Sequence, residues 1–210
     1  MNKIMFNDKY GLTDAVLEGR KTQTRRVLNP TILFKRLKTY EGWSKEDISA
    51  WKRSCKTRLY EAQGAELQQM FDYALSSSRY KVGETVAIAQ SYADITPQAD
   101  WVNCMIRKEE IGWNNKMFVH AKDMPHHIRI TKIRIERLQN IKSDDCLKEG
   151  IWKARNVGLE GTTYWYHGLA NSSFHTPQEA YASLIDRISG KGTWASNPYV
   201  FVYEFKLTYK

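Results

Sequence analysis

The run IRITKIRIERLQNIKSDDCLKEG, residues 128–150, changes its hydrophobic period part-way and so specifies two elements in succession. Ile128 and Ile130 share one parity while Ile133 and Ile135 share the other, which predicts a strand whose alternation slips by one residue. A β-bulge at Thr131 and Lys132 accounts for the slip. Ser143 then stands as the N-cap of a short helix with Asp144 and Asp145 in its first turn and Gly150 past its end. Glu149 is thereby delivered to a helix C-terminus, where the dipole disfavours a negative charge.

Outward from this run, the same signals recur on both sides. Downstream, Thr176, Pro177, Gln178 and Glu179 form a capping box with proline at the first helical position, and Ala180, Leu184, Ile185 and Ile188 give the helix its buried face. The chain closes with Tyr199, Phe201, Tyr203, Phe205 and Leu207 alternating with Val200, Val202, Glu204, Lys206 and Thr208, a strand. Upstream, a strand region starts at Val82, where Gly83 suits a turn before the apolar strand, and residues 94–119 read irregularly. Residues 31–78 carry a helical period, with Ser44 and Asp47 as a cap before Ile48, Trp51 and Cys55, and a later stripe of Leu59, Leu67, Met70, Phe71 and Ala74. They read as a helical insertion. Near the N-terminus a helix is expected over 8–18, with Asn7 as its cap and Gly19 as its end, feeding directly into Arg20 and Lys21. The class is α+β, and 1–210 reads as a single domain.

Composition narrows the function classes. Subtracting 23 acidic from 32 basic residues leaves +9, so either a polyanionic partner or a merely soluble basic surface is implied. A chain that is 42% hydrophobic stands outside the disordered class. Cys55, Cys104 and Cys146 show neither CxxC spacing nor a nearby His pair, and adjacent His126 and His127 point to opposite faces of a strand, so no metal or other cofactor is expected. No apolar run approaches a signal peptide or a membrane span, which makes the cytoplasm the expected compartment.

Residues 19–26, GRKTQTRR, follow the N-terminal helix and resemble the opening signature of ASCH domains, in particular the larger type common in bacteriophages and prophages. Three further blocks follow in the order of that type: the strand region from Val82 to Tyr92, residues 128–150, and GKGTWASNPYVFVYEF at 190–205. The helical insertion and residues 94–125 lie outside the resemblance. It implies a PUA-like β-barrel with surrounding helices, a fold associated with RNA, modified bases and nucleosides, and a host-cytoplasmic setting for a phage-encoded chain. Small bacterial ASCH proteins that hydrolyse N4-acetylcytidine use a lysine and a threonine of GRKTxT and a glutamate in the helix after the long central strand. Matched motif to motif, these fall on Lys21, Thr24 and Glu149. The family carries an acidic residue after the strand beginning at Val82, where this chain has Gln90, so no carboxylate role carries over to that point.

The chemistry these residues suit is amide hydrolysis. Lys21, flanked by Arg20, Arg25 and Arg26, has neighbours that disfavour its proton, so it can serve as a base towards Thr24 or a water. Glu149 would pass a proton to the departing exocyclic amine, and Arg25 or Arg26 would hold a phosphate or the developing oxyanion. Trp194, Asn197, Tyr203 and Gln90 complete the expected ligand contacts, through stacking and reading of a base edge. The competing reading of the same turn is structural, with its cations paired to Glu18 or Glu149. A binding module for RNA or a modified nucleic acid, without catalysis, is the alternative function, and a ribonuclease is a third.

Overall fold

The structure is a computed structural model that describes residues 1–31, 44–96, 105, 108–109, 111–155, 162–168 and 173–208. In chain order its elements are β1 (Lys3–Ile4), α1 (Leu12–Leu17), β2 (Gln23–Val27), α2 (Lys45–Glu61), α3 (Gly64–Ser76), β3 (Thr85–Ile88), α4 (Tyr92–Ile95), β4 (His127–Arg137), α5 (Ser143–Lys148), β5 (Trp152–Arg155), β6 (Thr162–Trp165), α6 (Pro177–Ser189), α7 (Thr193–Ser196) and β7 (Tyr199–Thr208). The class is α+β, as expected.

Five strands form one mixed sheet in the order β1-β3-β4-β7-β2, and β5 and β6 form a separate hairpin. Only the β1–β3 pair in the larger sheet is parallel. Its spine is the antiparallel pair β4–β7, in register from His127 opposite Thr208 to Arg137 opposite Tyr199. The register shifts between Ile130 and Lys132, which is the expected bulge at Thr131. Its effect is to keep the isoleucines together. Ile128 and Ile130 lie opposite Leu207 and Phe205, and beyond the bulge Ile133 and Ile135 lie opposite Tyr203 and Phe201, so all four face the aromatic side of β7. The opposite face is left to Lys132, Arg134 and Glu136.

The pairing does not show closure into a barrel. One side-chain bond nevertheless links the two end strands, and Tyr80 bridges β1 to β7. Arg26 Nη2 on β2 donates to Met5 O, next to β1, at 2.5 Å, and the Tyr80 hydroxyl donates to Lys3 O at 3.0 Å while its ring meets Tyr203 edge-on.

The main core joins Ile4, Val16, Ile88, Ile128, Ile130 and Leu184, and a smaller cluster gathers Ala87, Ala89, Tyr92, Val119 and Met124. The insertion is helical where described, as α2 and α3, and residues 32–43 of it lie outside the described residues. Its capping box at Ser44 and Asp47 forms. It docks through Tyr60 and Phe71, whose ring centroids lie 5.7 and 5.0 Å from that of Tyr199 at the start of β7.

Three local expectations are corrected. The N-terminal helix is broken: a 3-10 turn at Asp8–Tyr10 ends at Gly11, in the left-handed region at φ 61°, and α1 starts only at Leu12 without an Asn7 side-chain cap. A Cβ at Gly11 would come within 2.9 Å of His167, so close approach as well as backbone conformation reserves the position for glycine. The helix cap before Glu149 is Lys142, and Ser143 is the first helical residue, its hydroxyl accepting from Gln178 Nε2 at 2.9 Å. The strand expected from Val82 starts at Thr85, after the Gly83 turn, and leaves Val82 exposed.

The Thr176–Glu179 box forms as expected and Leu184, on the same helix, is buried. Thr176→Ala is expected to cost about 1 kcal/mol of unfolding free energy and Leu184→Ala about 2–5 kcal/mol, both read from urea denaturation. A smaller cost for Leu184 than for Thr176 would contradict this account of the core.

Candidate functional site

Lys21 and Glu149 lie 128 positions apart, and backbone contacts bring their segments together. Lys21 N donates to Ala15 O in α1 at 2.8 Å, and Thr22 N donates to Lys148 O in α5 at 2.9 Å. The GRKT turn is therefore pinned between the ends of two helices. Gly150 follows at φ 102°, with the position of its missing Cβ 3.1 Å from Leu12, so the exit from α5 packs directly on α1.

The side chains complete what the backbone arranges. Lys21 Nζ donates to Glu149 Oε2 at 2.6 Å and to Glu149 O at 2.8 Å, and both residues are buried. Arg25 Nη1 donates to the other carboxylate oxygen, Oε1, at 3.0 Å. The Arg25 guanidinium also reaches Glu136 Oε1 at 2.7 Å and Asp145 Oδ2 at 3.4 Å. Arg134 extends the network by pairing with Glu136, Asp145 and Glu204, and Lys148 pairs with Asp145. Four cations thus face four carboxylates, and the buried members of each sign are paired, as desolvation requires.

Titration follows from this geometry. Burial pushes the Lys21 ammonium below its ordinary value against the opposing pull of Glu149, with Arg26 and Arg25 adding smaller downward effects. The sequence reading assigned this shift to like charges; burial is the larger cause. Burial also opposes the Arg25 charge, but Glu149 and the other groups around it outweigh that and hold the guanidinium above its usual range. Tyr181, wholly buried beside Glu149, is pushed well up by burial and then by that carboxylate, so its hydroxyl stays protonated.

Lys21, Thr24, Arg25, Arg26, Glu149 and Tyr181 line one cavity of about 460 Å³, within the range of small-ligand sites, about 300–1,000 Å³. Gln23 and Arg25 share one parity of β2, directed at the carboxylates, while Thr24 and Arg26 share the other. Both parities contribute to the cavity wall, and among the described residues β2 pairs with β7 alone. On the opposite rim Lys116 donates to Asp8 Oδ1 at 2.7 Å and to Phe6 O. Lys3 in turn holds Met117 O at 2.6 Å and Val119 O at 2.7 Å.

The remaining expected contacts are dispersed. Arg20 lies outside the cavity, paired with Glu18 at 2.6 Å and stacked 3.7 Å over Trp152, whose ring stacks on Trp165. Trp194 sits in α7 against Tyr181, its backbone N–H held by Asp186, and Asn197 is a left-handed residue whose side chain accepts from Gln139 N at 2.9 Å. Both serve the turn into β7 and stand outside the wall of the Lys21–Glu149 cavity. Gln90 is buried away from the cavity with its backbone N–H on Met124, and its Oε1 has no hydrogen-bond partner among the described residues. Tyr203 lines a neighbouring cavity with Arg26. Tyr166 is fully buried with its hydroxyl against Ser183 and anchors the segment after β6 to α6. Sequence reading missed Tyr181 and Lys116. Tyr181 keeps helical spacing with Pro177, Leu184, Ile185 and Ile188 and was findable on that face; Lys116 belongs to an irregular segment with no periodic signal.

No family model, curated protein or solved structure matches the chain.

The asymmetry of the network makes a stability prediction. Glu149→Leu leaves Lys21 buried with no carboxylate and should cost about 3–5 kcal/mol, whereas Lys21→Met leaves Glu149 paired with Arg25 and should cost clearly less. Because Lys21 binds its proton less tightly when folded, its contribution becomes more favourable as pH rises towards the ordinary lysine value of 10.5. Lys21→Met should remove that rise when urea unfolding is compared with wild type between pH 7 and the ordinary lysine range.

Proposed function

We propose that this chain is an ASCH-type, PUA-like domain whose cavity binds the base of a nucleoside and hydrolyses an acyl group from its exocyclic amine. The observation that carries the reading is the buried contact of Lys21 Nζ with Glu149 Oε2 at 2.6 Å, in a cavity that Thr24 also lines. These are the residues on which the resemblance to the N4-acetylcytidine amidohydrolases falls. The bond from Arg26 on β2 to the Met5 carbonyl next to β1 supports a curled, barrel-like sheet.

The burial that lowers the Lys21 pKa makes its neutral amine accessible as a base, with Glu149 beside it to exchange the proton. Lys21 takes a proton from the Thr24 hydroxyl or from a water; the oxygen attacks the acyl carbon, and the developing oxyanion collapses as the carbon–nitrogen bond breaks. Glu149 gives the proton to the departing amine. If Thr24 is the nucleophile, water then cleaves the acyl ester and restores the hydroxyl. Arg25, held by Glu136, Asp145 and Glu149, positions the glutamate and is not free to follow a substrate. Arg26, exposed and without a carboxylate partner among the described residues, is the cation available to the ligand.

Release of cytidine from N4-acetylcytidine, followed by chromatography, tests this. Wild type should turn over with a rate that rises with pH as Lys21 loses its proton, and Lys21→Ala and Glu149→Gln should each lose about 10²–10⁴-fold. An inert wild type would overturn the hydrolase reading.

A further inference from the structure

Arg26 lines a second cavity as well, of about 260 Å³, between β1 and the turn that carries Arg79 and Tyr80. Part of its wall is core. The rings of Tyr80, Phe201 and Tyr203 are buried and pack on one another, Tyr80 edge-on to Tyr203 with centroids 5.3 Å apart and Phe201 stacked on Tyr203 at 5.8 Å. They offer a fixed apolar surface and not a stacking face. Half-buried Met5 and exposed Val27 continue that surface.

The polar part of the wall presents donors and, among the described residues, no carboxylate. Arg26 gives Nη2 to Met5 O at 2.5 Å, while its Nε and Nη1 have no partner among the described residues. The exposed Arg79 guanidinium lies 5.5 Å from the centroid of the Tyr80 ring and has no hydrogen-bond acceptor among those residues. Asn29 accepts through Oδ1 from Thr31 N and Oγ1 at 3.1 and 2.9 Å, which leaves its Nδ2 as a further donor. The Tyr203 hydroxyl, on a residue 2% exposed, likewise has no acceptor among the described residues. Burial and then Tyr80 push it up to about 12 against the charges of Arg26 and Arg79, so it keeps its proton. Lys3 adds charge rather than a bond. Its Nζ is committed to Met117 O and Val119 O, and its pKa is lowered by burial and then by the Arg79 charge. Glu84, the last of the influences on Tyr80, has its own oxygens taken by Asn2 Nδ2 at 2.6 Å and Lys81 N at 2.8 Å.

Like charges gathered round a concavity without a counter-charge are relieved by an anion. Two guanidinium forks and two neutral donors match a tetrahedral oxyanion, which offers several acceptor oxygens at once. The volume is close to the small end of ligand sites, about 300 Å³, and its apolar wall suits a small organic group attached to that oxyanion. We propose that the second cavity binds a small phosphate monoester, its dianion held by Arg26 and Arg79 with Tyr203 and Asn29 as further donors, and its organic group against Met5 and Val27. The site is separate from the Lys21–Glu149 pair and does not rest on the hydrolase reading.

Isothermal titration of the full chain with phenyl phosphate, in a low-salt buffer free of phosphate, tests this, with benzoate and phenol as the carboxylate and uncharged counterparts. Phenyl phosphate should bind at one site, benzoate more weakly and phenol not measurably. Arg79→Gln and Arg26→Gln should each weaken phenyl phosphate about tenfold, the scale of one hydrogen bond between charged groups. Tyr203→Phe keeps the ring and removes only the hydroxyl, so its loss should be roughly threefold, that of a neutral donor. Lys21→Met, which alters the first cavity, should leave the affinity close to that of wild type. Thermal unfolding checks that each variant is folded. The proposal is overturned if wild type does not bind phenyl phosphate, or if benzoate binds as tightly. It is equally overturned if Lys21→Met abolishes binding while Arg79→Gln does not, which would put the anion in the first cavity, or if neither arginine substitution matters, which would put it elsewhere on the basic surface.

Discussion

Burying a lysine beside an arginine is unfavourable unless carboxylates arrive from elsewhere in the chain, and much of this molecule's arrangement meets that requirement. Lys21 and Arg25 come from a turn and an edge strand; Glu149 and Asp145 come from a helix, and Glu136 from the strand before it. Removing any of these elements would strand charge in a low-dielectric interior, where an unpaired ion costs several kcal/mol, roughly the scale of the stability of a whole domain. The network therefore ties α1, α5, β2 and β4 into one cooperative unit. It also puts an amine and a carboxylate in hydrogen-bond contact on a cavity wall, so the groups the cavity presents are also ones the fold depends on.

Two arginines a single residue apart play opposite parts in this unit. Arg25 has a fully buried side chain and is held by three carboxylates; Arg26, on the other face of the same strand, is exposed and bonds only the Met5 carbonyl among its described partners. Strand alternation sends the two side chains to opposite faces. One face of β2 fixes the glutamate, and the other carries Thr24 and Arg26 on the cavity wall.

Much of this was legible in the sequence where the signal is local. The capping boxes at Ser44 and Thr176, the alternation of Tyr199–Thr208 and the slipped period around Thr131 each name an element by its own residues, and each formed. Lys21, Thr24 and Glu149 were found through a resemblance, and the cavity brings them together. What was not legible is what depends on other parts of the chain. Gly11 breaks the first helix because the turn bearing His167 packs against it, a contact no local period encodes. Trp194 and Asn197 have the chemistry of base recognition yet are absorbed by the turn they build, and Lys116 reaches the cavity from a stretch without periodicity. The cause of the Lys21 shift was likewise misread from sequence, since neighbouring charges are visible in a string of letters and burial is not.

The bulge at Thr131 has a consequence for how this chain can change its length. A sheet reads its strands two residues at a time, so Thr131 is the one residue β4 can lose without a frameshift: Ile133 and Ile135 would stay in phase with Ile128 and Ile130, opposite Tyr203 and Phe201, whereas a single deletion elsewhere in the strand would exchange its apolar and ionic faces. By contrast, the connection between β2 and β3 accommodates α2 and α3 without altering any strand register. Length variation is thus accommodated at that connection and, by one residue, at the bulge, so indels among descendants of this sequence should accumulate there and be purged from the rest of β4.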